Sequence, residues 1–237
     1  MMRRVGILGG MGPQATVLLM QKVLDAVPAA DDADHIPLLV DQNPQVPSRI
    51  RRLIEGTGDD PGPVLADMAR RLVACGVEAL AMPCNTAHHY APAIRAAVQV
   101  PFLDMVDLSV AKAAKLAVAD GRVGILASPA VRKIGLFDAA FARVGVRALY
   151  PGDEAAPLLA IRQIKAAGAG PTETAVLRAA SAELLQRGAT VQMIACTEFS
   201  LVSTPTVAGV VAFDTLDVLV NAIRDFAAGG QSTTDTK

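Results

Sequence analysis

The chain has 237 residues, 52% of them apolar and 19% charged, with a formal charge of −1. That is enough apolar material for one or two cores without staples; the near-neutral balance, with no tryptophan, two tyrosines and six phenylalanines, leaves neither a basic footprint nor a stacking platform for nucleic acid. No stretch reaches the roughly 18 uncharged apolar residues of a membrane span, and three cysteines spread over the chain fit a reducing compartment, so a cytoplasmic protein without membrane partner is expected.

The N-terminal Met-Met-Arg-Arg and short apolar run superficially resemble a signal peptide, but the run is too brief, and a first strand over 5–9 is the better reading. Gly9-Gly-Met-Gly-Pro13 turns that strand into a helix, with Pro13 at its first position. A second strand is expected over 36–40, followed by a polar loop over 41–49 that its two prolines keep extended and that carries Arg49. An amphipathic helix over 63–75 leads to an apolar run over 77–82, which reads as a strand buried on both faces. Cys84 follows at its carboxyl end, where open α/β sheets bind ligands and the N–H groups of Asn85, Thr86 and Ala87 would be free to meet a carboxylate.

A short helix broken near Pro92, a strand over 100–103 and a helix capped by Asp104 or Asp107 and running to about residue 119 complete the first half. The pattern then restarts. Strands are expected at 122–127, 147–150, 191–195 and 210–213, and helices at 129–143, 153–168, 171–187 and 215–227. Residues 229–237 form a polar tail expected to be disordered.

The restart is visible in the letters. Val5-Gly6-Ile7-Leu8 recurs as Val123-Gly124-Ile125-Leu126, Cys84 as Cys196, and Phe102-Leu-Asp104-Met-Val-Asp107 is echoed by Ala212-Phe-Asp214-Thr-Leu-Asp217. Three landmarks in one order indicate a duplicated unit. The expected fold is therefore α/β: two pseudo-symmetric domains, each with a mostly parallel sheet flanked by helices, and an active site in the cleft between them. Residues 1–105 with 212–228 form the first domain and 106–211 the second, the last strand and helix returning to the first.

A pseudo-twofold axis would set Cys84 and Cys196 facing each other across that cleft. Inverting a stereocentre by deprotonation needs a base on one face of the carbon and an acid on the other. With an unperturbed pKa of about 8.5, a thiol can serve as either near neutral pH. No cofactor is required in principle, and backbone donors after each cysteine would stabilise the carbanion by about 3 kcal/mol per well-placed donor.

The stretches Gly9-Gly-Met-Gly-Pro-Gln-Ala-Thr16, Asn43-Pro-Gln-Val-Pro-Ser-Arg49, Pro83-Cys-Asn-Thr-Ala-His88 and Cys196-Thr-Glu198 together resemble the aspartate racemase branch of the aspartate/glutamate racemase superfamily. The resemblance covers essentially the whole chain. It implies a cofactor-independent racemase of L- and D-aspartate, commonly a homodimer, with Cys84 the base for the D-enantiomer and Cys196 for the L-enantiomer. It implies that Arg49 and Lys165 hold the substrate's side-chain carboxylate, that Asn85, Thr86 and Thr197 hold the α-carboxylate, and that Met11, Gln14 and Glu198 complete the lining. Glutamate racemases usually carry histidine where Glu198 stands, which favours the aspartate branch. Ser48 in place of the family's frequent aspartate and Ala195 in place of glycine are departures that bear on substrate choice.

Each residue also has a plainer reading. Cys75, on the apolar face of a helix, is taken as core. Glu198 can be a helix-start carboxylate or a group that tunes Cys196; Lys165 can be a charge at a helix C-terminus. His88 and His89 lack further ligands at metal spacing, and the glycine loop lacks both the GxGxxG spacing and the P-loop lysine of a nucleotide site. Glutamate or broad specificity, a maleate-isomerase-like or arylmalonate-decarboxylase-like reaction, and a non-catalytic dicarboxylate binder remain as alternatives.

Overall fold

The computed structural model describes residues 2–117 and 121–229. The expected disorder over 229–237, and the expected end of a helix near residue 119, fall almost wholly outside these.

Two four-stranded sheets, both entirely parallel, form the centres of two similar halves. In the first, β1 (Val5–Gly9) lies between β2 (Leu38–Gln42) and β3 (Ala79–Ala81), and β4 (Phe102–Leu103) pairs with β3. In the second, β5 (Arg122–Ala127) lies between β6 (Arg147–Leu149) and β7 (Val191–Ala195), and β8 (Val211–Asp214) pairs with β7. The repeated Val-Gly-Ile-Leu thus occupies one strand position in both sheets. Its glycine has the same reason in each: a Cβ on Gly6 would sit 2.9 Å from Leu80, and one on Gly124 would sit 2.9 Å from Gln192.

Helices α1 (Pro13–Asp25), α2 (Pro61–Ala74) and α3 (Ala91–Ala97) belong to the first half; α5 (Pro129–Lys133), α6 (Asp138–Arg143), α7 (Ala155–Ala167) and α8 (Pro171–Gln186) belong to the second. The remaining two are exchanged. After β4, α4 (Met105–Leu116) sends Val106, Val110 and Ala113 into the core of the second sheet. After β8, α9 (Thr215–Ala227) sends Leu216, Leu219, Val220, Ile223 and Phe226 into the core of the first. Asp104 caps α4 through the amides of Val106 (2.9 Å) and Asp107 (3.2 Å), and Asp214 caps α9 through Leu216 (2.7 Å).

Four local expectations are corrected. Residues 212–228 do not stay together in the first half: Val211–Asp214 extends the second sheet through pairs from Val191↔Val211 to Ile194↔Asp214, where β7 satisfies its backbone groups. The single helix expected over 129–143 is two, interrupted at Gly135, which adopts φ 61°. Arg49 lies not on extended chain but at the start of a helical turn that continues as one π-helical turn, Arg51–Glu55, and ends at Gly56 with φ 73°. Cys75 is exposed where α2 terminates, since the helix's buried face ends at Leu72.

Burial pushes the Asp214 carboxyl up to about 6, against the pull of its own capping bond to Leu216. The native state then binds the proton more tightly than the unfolded chain, so this group costs stability as pH rises from about 4 through 6. Asp214→Asn keeps a capping oxygen without the buried charge. Urea unfolding should show it more stable than the parent at pH 8, by on the order of 1–2 kcal/mol, with the gain vanishing near pH 4. An equal loss at both pH values would contradict a charge penalty.

Candidate active site

The carboxyl ends of β1, β3, β5 and β7 from both halves open onto one cavity of about 60 Å³, lined by Met11, Ser48, Arg49, Ile50, Cys84, Thr86, Ser128, Ile161, Lys165, Cys196 and Glu198. Both cysteines are buried, at 7% and 6% exposure, each just beyond a short apolar strand whose backbone groups are consumed by its neighbours.

The two cysteine turns are tied to each other across the halves. Thr197 donates its hydroxyl to the Pro83 carbonyl (3.1 Å), immediately before Cys84. Asn85 Nδ2 donates to Thr215 Oγ1 (3.0 Å), which donates its own proton to the Ile194 carbonyl (3.0 Å) in the strand leading to Cys196. With that proton committed, Thr215 accepts from Asn85, which fixes the amide's orientation. Asn85 Oδ1 is then a buried acceptor without a protein partner among the described residues. These ties spend the Thr197 hydroxyl proton and one of the two amide N–H groups of Asn85. Of the three residues expected to hold the α-carboxylate, only Thr86 lines the cavity.

Glu198 joins the charged groups. Its Oε2 accepts the Cys196 thiol proton at 3.1 Å and its Oε1 contacts the Lys165 ammonium. Burial first, and then the Glu198 carboxylate, push the Cys196 thiol well above its usual range, and Lys165 only partly offsets this. Cys196 is therefore a neutral thiol near pH 7. For Lys165 burial opposes the charge, but Glu198 beside it prevails and raises the ammonium above its ordinary value.

Arg49 reaches the cavity while Nη1 donates to the carbonyls of Val46 (3.2 Å) and Pro47 (3.0 Å). Gln14 lies off the cavity wall, exposed, with Nε2 3.4 Å from the Lys165 carbonyl. The glycine loop answers to close approach. A Cβ on Gly10, which adopts φ 89°, would fall 2.4 Å from the Asn43 backbone, and one on Gly12 would come 3.3 Å from Lys165 Nζ.

Ser128, Ile50 and Ile161 line the cavity without having been singled out from the sequence. Ser128 had a signal: it follows Gly10 at the spacing of the Val-Gly-Ile-Leu repeat. Ile161 lies four residues before Lys165 on α7, on the same helix face. Among the described residues no group of three or more His, Cys, Asp or Glu side chains is placed to hold a metal ion, and no helix is long and apolar enough to cross a membrane.

By fold and site this is a two-domain α/β protein whose interdomain cleft carries a matched pair of thiols. The chain belongs to the Asp/Glu/Hydantoin racemase family, which it matches over residues 8–223. It is 36% identical over 107 residues to the broad specificity amino-acid racemase RacX of Bacillus subtilis; that match takes in 44% of this chain and spans about half of that relative, 46%. Its structure is similar to the Picrophilus torridus aspartate racemase (TM-score 0.85, 23% identity, 95% of this chain and 94% of that one). It is similar also to the Francisella tularensis glutamate racemase in complex with D-glutamate (TM-score 0.65, 17% identity, 98% and 84%). At these identities the likeness establishes the fold.

Proposed function

We propose that the protein is a cofactor-independent amino-acid racemase acting on aspartate, with Cys84 and Cys196 as the two acid–base groups. The observation that carries this reading is that two buried cysteines, at equivalent strand ends of a duplicated fold, line one small cavity. In one direction the Cys84 thiolate takes the α-hydrogen as a proton, and the electron pair of the broken bond spreads into the α-carboxylate. The Cys196 thiol then delivers its proton to the opposite face, and the reverse reaction exchanges the roles. Glu198 suits this by keeping Cys196 protonated as the donor. Backbone N–H groups in the cysteine turns stabilise the carbanion.

A wider substrate range is the second reading, and a specific arrangement favours it. Lys165 already has a carboxylate partner in Glu198, which leaves Arg49 as the lining cation with no carboxylate partner among the described residues. Proton NMR of L-aspartate with reduced protein in D2O, followed with chiral chromatography and without added cofactor, tests both. α-Deuteration accompanied by D-aspartate supports the first reading, exchange confined to other amino acids in a panel supports the second, and no exchange with any of them overturns both. Arg49→Ala should lower kcat/KM on aspartate about 10–100-fold, the loss of one charge-assisted contact, and leave alanine within a few-fold. Equal losses on both would contradict a role in side-chain recognition.

A further inference from the structure

His88 is buried, its side chain 1% exposed, four residues after Cys84 in the 3-10 turn Thr86–Tyr90. Its Nε2 accepts the Met105 amide at 3.1 Å, the first residue of α4. The proton therefore lies on Nδ1, which donates to the Cys84 carbonyl at 2.8 Å. One ring thus bridges the backbone of Cys84, in the first half, to a helix packed into the core of the second.

The surroundings keep that ring neutral. Asp104 Oδ1, 3.9 Å from Nε2, already accepts the amides of Val106 and Asp107, and Oδ2 holds Arg95 at 2.7 Å. Burial, the largest influence, holds the imidazole below the usual histidine range; Asp104 and Asp107 oppose this and Arg95 adds to it. Phe102 covers the ring with centroids 5.4 Å apart. The other cysteine is supported differently: the Cys196 carbonyl accepts the Phe199 backbone amide at 2.8 Å, and its thiol has the Glu198 carboxylate. The duplicated fold therefore holds its two thiols by unlike means.

We propose that His88 is a positioning residue: as a neutral Nδ1–H imidazole it fixes the Cys84 turn to the N-terminus of α4 and so sets Cys84 at its distance from Cys196 across the cleft. This rests on the reading of Cys84 as an acid–base group. Misplacement of such a group by about 1 Å costs on the order of 10²-fold in rate.

The test is iodoacetamide labelling of the full-length reduced protein, resolved by mass spectrometry at Cys75, Cys84 and Cys196, together with steady-state kinetics. His88→Phe removes both bonds, whereas His88→Asn keeps an N–H donor where Nδ1 stood. In His88→Phe the Cys84 labelling rate should rise about tenfold as the turn opens, with Cys75 and Cys196 within twofold of the parent. On the racemised amino acid kcat should fall about 10²-fold with KM little changed, and His88→Asn, which keeps the Cys84 bond but not the acceptor for the Met105 amide, should recover only part of both effects. Unchanged Cys84 labelling in a folded His88→Phe protein, or equal acceleration at both buried cysteines, would overturn the proposal. Should His88→Phe fail to fold, His88→Asn alone decides: Cys84 labelling and kcat both unchanged from the parent would deny the bridge to α4 its role. A parent protein inactive on every amino acid would instead sink the racemase reading, and the labelling comparison would still report whether His88 holds the turn.

Discussion

Cys84→Ser and Cys196→Ser should each lower kcat/KM for aspartate racemisation by at least about 10³-fold, within the range that positioned acid–base groups supply. Serine preserves the size of the side chain and its capacity to hydrogen-bond, but its hydroxyl does not ionise near neutral pH. One face of the α-carbon then lacks a base in one direction and an effective acid in the other. Because the enantiomers have equal free energy, the losses in kcat/KM must be the same from L- and D-aspartate. Aspartate affinity should survive, since neither thiol is a principal ligand of the substrate's charges. Chiral chromatography over long incubations measures the residual rate, and calorimetry the binding. A single variant with near-parental turnover would refute the two-thiol mechanism. A parent that binds aspartate without exchanging its α-hydrogen would be a dicarboxylate binder.

The second large effect concerns Glu198. Glu198→Gln retains a side chain able to accept from Cys196 but removes the negative charge that, after burial, contributes most to holding that thiol up. The Cys196 thiol should then ionise at lower pH, moving the optimum of kcat/KM toward acid by about one unit, worth about 1.4 kcal/mol. Near pH 8 the variant should lose up to about tenfold in kcat/KM, because Cys196 is less often the required proton donor. Iodoacetamide should label Cys196 faster at pH 7.5 while Cys84 is little affected. An unchanged Cys196 labelling profile would mean that the 3.1 Å contact has no influence on the thiol.

Both predictions depend on contacts of different legibility. That Cys84 and Cys196 stand at strand ends can be read directly, because an apolar run bounded by glycine and proline leaves few alternatives for residues 77–84, and because the second run repeats the first. That Glu198 tunes Cys196 cannot be read in the same way. The spacing of two residues is compatible with a capping carboxylate, and only the packing of α7 against the β7 turn brings Lys165 to the other oxygen and settles the orientation. Arg49 illustrates the same limit. Two prolines argued for extended chain, yet after Pro47 the segment winds into a helical turn whose Arg52 amide bonds the Ser48 carbonyl, and the guanidinium curls onto its own loop.

Local chemistry was sufficient for most of the strands and helices, the duplication, the helix starts at Pro13 and Pro171, and the placement of two thiols at ligand-binding edges. Each of these follows from periodicity or capping within a few residues. The retention of β8 in the second sheet, the exposure of Cys75 and the Asn85–Thr215 and Thr197–Pro83 ties were decided by the tertiary structure. A strand carries in its sequence the need for a partner. Which of two similar sheets supplies one, and which turns are tied across the halves, depends on contacts that the local sequence does not contain, the two ties joining residues 130 and 114 positions apart.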